Sequence, residues 1–183
     1  GAYSIASSDY TGGTANAVKN FGSTITGSLN SNESSTASSQ YSGIANSIVG
    51  LANRTANANG ALIFGAGNEI TNSVTNINAP TSSGDSAVDL QKTLMSNIKS
   101  SASGGSTLAF GGGNKADYTR SSALIGVNNT LTGTESDISQ YNYITGYNNT
   151  GTNVDNVTII GTNRTVSDAA NSVVIGSGDS SMT

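Results

Sequence analysis

The sequence has no cysteine, no histidine and no tryptophan, and it contains a single proline, Pro80. Without thiols and imidazoles, the many serines have no general base beside them, so that only carboxylate pairs remain for catalysis. The closest such pair, Glu135 and Asp137, lies in a Ser/Thr-rich insertion, with no apolar pocket expected around it that would shift a pKa. We therefore expect a protein that is not an enzyme and that uses no cofactor.

Charge is scarce as well. Seven basic and 11 acidic residues give a net charge of −4, and they form neither a basic stripe nor an aromatic-rich strand on which bases would stack. This distribution argues against a nucleic-acid partner. No apolar run approaches the length of a membrane span, and no charged start precedes an apolar stretch. We expect no membrane contact by this segment, and if the parent protein is secreted or anchored, the segment is a fragment of it.

Large apolar residues are also few, since leucine, isoleucine, valine and phenylalanine together make up 35 of 183 residues. A chain with 23 glycines and abundant serine, threonine and asparagine cannot bury a large conventional core. Its stability is expected to come from stacked backbone hydrogen bonds, asparagine ladders and packing between subunits.

What the chain does have is a glycine that returns after a short apolar segment. Four of the intervals between these glycines are 15 residues, and the other three are longer by inserted segments, which is typical of a solenoid. The repeating glycines are Gly27, Gly50, Gly65, Gly111, Gly126, Gly146, Gly161 and Gly176.

Two neighbouring positions before each glycine are apolar. The position two residues before it is always apolar, as Ile25, Ile48, Ile63, Ala109, Leu124, Ile144, Ile159 and Val174. The position directly before it is apolar in six repeats, as Val49, Phe64, Phe110, Ile125, Ile160 and Ile175. Because adjacent residues of a strand point to opposite faces, this strand is predicted to be buried on both sides.

A turn is predicted after each glycine. Three residues beyond it, six repeats carry an asparagine, namely Asn30, Asn53, Asn68, Asn114, Asn129 and Asn149. Glycine and asparagine tolerate left-handed backbone, so we expect the chain to reverse through this asparagine. Since most turns offer neutral asparagine and not aspartate, we expect no calcium or other metal site.

A second, more polar strand is predicted to return the chain, marked five residues after the glycine by Thr55, Ile70, Ala116, Leu131 and Val166. The fold class is therefore all-β, a parallel β-roll in which each coil stacks on the next. One roll has only one interior, so the outward apolar row needs another cover. Sister copies of the chain are the simplest cover, and we expect a homotrimer or a similar closed oligomer.

The longest interval contains a segment, residues 72–104, that breaks the repeat. Within it, Ala87, Leu90, Leu94 and Ile98 follow helical spacing behind a capping residue, Ser83 or Asp85. The helix either packs against the roll or a neighbouring chain, or it carries a recognition surface, as insertions into solenoids often do. In the second case the candidate receptor-binding residues are Asp89, Gln91, Lys92 and Lys99.

Shorter excursions, residues 32–42 and 134–140, are expected to be solvated.

Four residues after the glycine, three consecutive coils carry the charged residues Arg54, Glu69 and Lys115. Stacking would bring these charges into one column, so we predict an ion-pair ladder whose value lies in fixing the stacking register.

Three segments, Asn171–Gly176, Asn156–Gly161 and Ser121–Gly126, resemble the head repeats of trimeric autotransporter adhesins, the YadA-like family. The resemblance covers most of residues 21–179. It implies a left-handed parallel β-roll from each of three chains, on an adhesin anchored in the bacterial outer membrane and displayed at the cell surface. It also implies binding to matrix proteins or host receptors, including carcinoembryonic-antigen-related adhesion molecules.

The chain departs from the family pattern in three ways: its spacing of fifteen residues is longer than the more usual fourteen, the helical insertion is unusual, and no stalk or anchor is present. We expect residues 21–183 to form the head, with residues 1–20 as an amino-terminal cap or partial repeat.

Two alternatives remain open. A tailspike-like solenoid acting on glycans needs paired carboxylates in a groove and aromatic sugar platforms, and here tyrosines are scattered. An ice-binding solenoid needs regular Thr-x-Thr on one face. Three residues before each glycine the residue type varies, with Thr24, Ser47, Leu62, Leu108, Ala123, Tyr143, Thr158 and Val173.

Overall fold

The computed structural model describes residues 2–8, 18–34, 41–74, 86–100 and 107–177. Within these ranges the chain forms twenty β-strands and one α-helix. In chain order they are β1 (Ile5–Ser8), β2 (Val18–Lys19), β3 (Thr24–Ser28), β4 (Ser31–Ser34), β5 (Tyr41–Ser42), β6 (Ser47–Leu51), β7 (Arg54–Ala56), β8 (Leu62–Ala66), β9 (Glu69–Thr71), α1 (Ala87–Ser100), β10 (Thr107–Gly112), β11 (Lys115–Asp117), β12 (Thr119–Arg120), β13 (Ser122–Val127), β14 (Thr130–Thr132), β15 (Ser139–Gln140), β16 (Tyr143–Tyr147), β17 (Thr150–Thr152), β18 (Asp155–Thr162), β19 (Thr165–Ser167) and β20 (Ala170–Ser177).

Two long parallel sheets run the length of the stack. The main sheet has ten strands, including all those that carry a repeating glycine, in the order β12-β15-β18-β16-β13-β10-β8-β6-β3, with β20 paired to β18. The return sheet has eight strands, in the order β1-β4-β7-β9-β11-β14-β17-β19. The strands β2 and β5 form a separate parallel pair. The predicted all-β fold of stacked parallel coils is confirmed.

The repeating glycines hold the register of the main sheet. Gly50 pairs with Gly65, Gly65 with Gly111, and Gly111 with Gly126. Adjacent coils are therefore aligned residue on residue despite intervals of different length. The described part of the return sheet keeps the same order, as when Glu69 pairs with Lys115 across the longest interval.

Each 15-residue coil turns at three left-handed positions, and none of them is the asparagine three residues after the glycine. They lie two and seven residues after the glycine and five before the next, as at Ala52, Asn57 and Gly60 in one coil. The expectation that the chain reverses through a left-handed asparagine was wrong. The reversal takes place one residue earlier, and the asparagine keeps an ordinary backbone so that its side chain can stack.

The core lies between the two sheets. From the main sheet it receives the residue two before each glycine, and from the return sheet the residue five after it, as predicted. Ile48, Ile63, Ile70, Leu124, Leu131, Ile144 and Ile159 have no exposed surface. Two further pairs complete the core: Ala58 and Val154, which form a short third wall between the second and third turns of their coils, and Ala61 and Val157, which follow the third turn. The two-strand interpretation did not predict them. Val166 is only partly buried, because it lies in the last coil.

At the amino-terminal end the interior becomes polar. Asn32 Oδ1 accepts hydrogen bonds from Asn46 Nδ2 at 2.9 Å and from Thr55 Oγ1 at 2.7 Å, and all three side chains are buried. The expectation that residues 32–42 are solvated was therefore wrong for Asn32, Ser34 and Ser42, which are buried. These short polar side chains replace apolar ones because hydrogen bonds inside the coil satisfy them. In the second excursion, residues 134–137 are exposed, as expected, but the expectation was wrong for Ser139, which is buried and donates to Thr132 O at 3.1 Å.

The first described strand, Ile5–Ser8, extends the return sheet by pairing with β4. Helix α1 lies in the long insertion, as predicted, and none of its residues is buried. Its amino-terminal cap is Ser86, whose Oγ accepts the backbone N–H of Asp89 at 3.2 Å. The predicted caps, Ser83 and Asp85, lie outside the described residues.

Among the described residues no helix has the length and hydropathy that crossing a membrane requires.

Candidate functional site

The four candidate receptor-binding residues lie on helix α1. Asp89 is in its first turn and Lys99 in its last turn, where the helix dipole favours their charges. Spacings of three and seven residues place Asp89, Lys92 and Lys99 on one face of the helix, whereas Gln91 lies off that face. All four are exposed.

The turn residues form a buried spine along the stack. From Asn53 to Asn149 each asparagine side-chain N–H₂ group donates to the preceding asparagine and to the glycine carbonyl of the following coil. Asn53 Nδ2, for example, donates to Asn30 Oδ1 at 3.0 Å and to Gly65 O at 2.8 Å. The same pattern continues through Asn68, Asn114, Asn129 and Asn149. The sequence predicted this ladder, and its role is structural.

The glycines are required by the same spine. Their φ values are positive, and a Cβ at Gly50 would lie 1.8 Å from the carbonyl oxygen of Gly65. The equivalent distance is between 1.7 and 2.0 Å from Gly27 through Gly161. No side chain fits there, because the asparagine N–H₂ group and the neighbouring backbone already occupy the space. The spine therefore explains the repeat without a ligand.

The predicted charge ladder forms with a different membership. Arg54 bonds to Glu69 and, at 2.9 Å, to Glu33. The hydrogen bond from Arg54 lowers the pKa of the Glu33 carboxyl, and the hydrogen bond to Glu33 raises the pKa of Arg54. Lys115 is next to Glu69 in register, but no ion pair joins it to another described residue. The pairs are about one-third or more exposed, so each contributes roughly 0–1 kcal/mol.

The most extensive apolar feature is the side of the main sheet that faces away from the core. We call this surface the outer face; it comprises the residues one and three before each glycine, which share one side of the strand. None of the residues directly before the glycine is buried. Phe64 is 61% exposed, Ile160 39% and Ile175 69%. The sequence predicted these apolar residues on the side opposite the core, and the structure places them there.

The outer face changes along the stack. Its first coils are polar or small, with Thr24 and Thr26 in β3 and Ser47 in β6, and its later coils are apolar. In β16, Tyr143 and Tyr147 are 41% and 49% exposed, and Tyr141 precedes them at 61%. Tyr141 and Tyr143 line a shallow depression with Leu108 and Ala123. The sequence treated these tyrosines as scattered, because their shared side depends on strand register.

The described residues bring no group of three or more metal-ligating carboxylates together. The candidate carboxylate pair, Glu135 and Asp137, is exposed, and Asp137 closes a turn in which its N–H donates to Thr134 Oγ1 at 3.0 Å.

No protein-family model, no curated protein and no solved structure matches this chain.

Proposed function

We propose that this chain is the head segment of a noncatalytic, homotrimeric bacterial surface adhesin that resembles the YadA-like family. Three copies pack as left-handed rolls around a common axis, with the outer face of each turned towards the other two. The outer membrane carries the anchor, and the head attaches to a host cell-surface receptor or to extracellular matrix. A carcinoembryonic-antigen-related adhesion molecule is one receptor class that the resemblance suggests.

The observation that carries the proposal is the exposed outer face. Phe64 stacks on Phe110, and Phe110 on Ile125, in consecutive coils. Coils of a parallel sheet are about 4.8 Å apart, so these side chains form one continuous apolar row. A monomeric soluble protein rarely exposes a contiguous apolar patch of this kind. Thr145 interrupts the row, which resumes at Ile160 and Ile175. The apolar residues therefore recur along the length of the stack, and a second copy of the chain, with the same length and repeat, is the cover that matches them.

Trimerisation gives the adhesive role its physical basis. Three identical copies present three identical receptor sites on one rigid body, so that modest affinity at one site becomes strong attachment through effective concentration. The exposed helix α1, with Asp89, Lys92 and Lys99 on one face, is the proposed recognition surface, and Gln91 lies beside it. Its location in an insertion leaves the stack free to act as a scaffold.

Light scattering coupled to size-exclusion chromatography tests the assembly. One chain has a mass of 18.2 kDa, so the expected particle has three times that mass. A well-folded monomer would contradict the proposal. Attachment to host cells or to immobilised matrix proteins then tests the adhesive role. Trimers that bind neither, yet depolymerise a glycan, would support the tailspike-like alternative.

A further inference from the structure

The carboxyl-terminal coils of the return sheet present a regular array of hydroxyl side chains. We call it the threonine grid; it comprises the residues four and six after three consecutive glycines. In the strand pairing, Thr130 is next to Thr150 and Thr150 next to Thr165. The second column runs beside it in the same register. The grid consists of Thr130, Thr132, Thr150, Thr152, Thr165 and Ser167.

The grid points away from the core. The residues between its columns, Leu131 and Gly151, are buried, so the neighbours on either side project outwards. Thr130, Thr132, Thr150 and Thr152 are partly exposed, and Thr165 and Ser167 are exposed. Hydroxyl positions therefore repeat at about 4.8 Å between coils and about 6.6 Å along a strand.

The chemistry of the grid differs from that of the coils before it. At the same two offsets those coils carry Glu69 and Thr71, then Lys115 and Asp117. The six grid residues carry no charge and no aromatic ring, and the nearest carboxylate along the strand, Asp168, lies on one border, where it accepts a hydrogen bond from Asn153 Nδ2 at 3.4 Å. On one border Asn148 Nδ2 donates to Asn163 Oδ1 at 2.8 Å, which continues the same coil-to-coil repeat with an amide. The surface thus repeats neutral hydroxyl and methyl groups in two directions.

We propose that the threonine grid binds the ordered water at an ice surface. A neutral, two-dimensional repeat matches a neutral lattice, since it carries no ionic group that would hold its own hydration shell. Threonine hydroxyls bond to lattice water, while the methyl groups, held in stiff β-branched side chains, fill the spaces between water molecules. A neutral polysaccharide is a poorer fit, because the grid offers no aromatic platform.

This inference goes beyond the proposed adhesive function and does not depend on it, because the grid lies on the opposite side of the coil from the outer face. It also corrects the sequence-based objection to ice binding. The irregular positions considered there lie three residues before the glycine, on the main sheet, whereas the regular Thr-x-Thr pattern lies on the return sheet. With three coils the grid is small, so the expected effect is ice attachment and slowed recrystallisation.

The test uses the full chain with a fluorescent label, a single ice crystal grown in its solution, and a recrystallisation assay. We expect the chain to label the ice and to slow crystal growth. Thr150→Lys, at the centre of the grid, should lose both effects. Ser136→Lys adds the same charge at an exposed position outside the grid and should keep both. Thr150→Val and Thr150→Ser separate the contribution of the hydroxyl from that of the methyl group.

Thermal unfolding and light-scattering mass on each variant establish that the fold and the assembly are unchanged, so a failed trimer is distinguished from a failed ice site. The inference is overturned if the unaltered chain is excluded from ice, or if Thr150→Lys labels ice as well as Ser136→Lys does. Binding to insoluble cellulose without ice labelling, lost in Thr150→Lys, would also overturn it and would assign the grid to a glycan.

Discussion

At the scale of single residues, the repeat is explained by contacts between coils and not by turns within one coil. Each spine asparagine accepts a backbone N–H and an amide N–H from the next asparagine, as Asn68 Oδ1 does from Asn114 at 3.1 and 2.9 Å. The side-chain N–H₂ group of each asparagine donates to the carbonyl oxygen of the next repeating glycine. The coils lie so close together at this point that only glycine, which has no side chain, fits. The asparagine therefore requires the glycine of the following coil. The converse does not hold, because the Gly161 coil carries Arg164 in place of the asparagine, and its backbone N–H still donates to Asn149 Oδ1 at 3.0 Å.

Two adjacent glycines test this explanation. A Cβ on Gly111 would lie 1.9 Å from Gly126 O, on backbone with φ of +121°, whereas one on Gly112 would meet nothing nearer than Ala66 O at 3.7 Å. We expect Gly111→Ala to destabilise the fold by about 2–4 kcal/mol, from strain and a clash that the stack cannot relieve.

Gly112→Ala serves as the control for this change and should cost less than about 1 kcal/mol. Urea unfolding followed by circular dichroism measures both variants. Equal losses of stability would contradict a spine that depends on the repeating glycine.

At the scale of elements, the long insertion leaves the stack uninterrupted. Leu62–Ala66 pairs directly with the matching residues of β10, and Ser73 Oγ lies 3.0 Å from Thr107 Oγ1. The two ends of the insertion are therefore adjacent. Helix α1 buries none of its residues in the chain, so it contributes little to the stability of the coils.

Removing the helix should therefore preserve the fold. The interval from Gly65 to Gly111 exceeds one 15-residue repeat by 31 residues, which is the length of residues 75–105. We expect a chain lacking residues 75–105 to unfold at the same midpoint and to form particles with the same number of chains. It should no longer attach to the receptor.

The matched control for this deletion keeps the helix and changes Asp89, Gln91, Lys92 and Lys99 to alanine. It should unfold like the parent chain and bind the receptor less. Collapse of the fold on deletion would show that the helix is part of the core of the assembly. Unchanged binding in both variants would place the receptor site elsewhere on the head.

At the scale of the whole molecule, the free energy of folding depends on how much apolar surface is buried, within one chain or between chains. A single chain covers one side of its main sheet with the return sheet and leaves the outer face, including Phe64 and Ile160, in contact with water. Burial contributes roughly 25 cal/mol per Å² of apolar surface. Assembly through this face would therefore couple folding to association.

Such coupling makes stability depend on concentration. We expect the unfolding midpoint of the chain to rise with protein concentration, because an assembled state is stabilised by mass action. Phe64→Lys combined with Ile160→Lys should remove this dependence and yield a particle of lower mass. Val88→Lys replaces an equally exposed apolar residue on helix α1 and should leave the assembly intact. A midpoint that does not change with concentration in the unaltered chain would contradict assembly.

The sequence by itself determined the period, the parallel stacking and the core positions such as Ile63 and Ile70, because a fixed offset from the glycine places each side chain on a fixed side of its strand. It also predicted the asparagine ladder and helix α1. It did not predict the third wall with Ala58 and Val154, since a segment of two or three residues carries too short a pattern.

Tertiary structure alone decided the contacts between coils that join residues at different offsets from the glycine. Glu33 joins the charge ladder in addition to Arg54 and Glu69, and Tyr141 and Tyr143 line one depression with Leu108 of another coil. The threonine grid lies at fixed offsets from the glycine and is therefore readable from the sequence; the stack decided that its rows lie next to each other in register. Contacts within a strand can be read from local order, whereas contacts between coils depend on how insertions are accommodated, and only the folded stack sets that register.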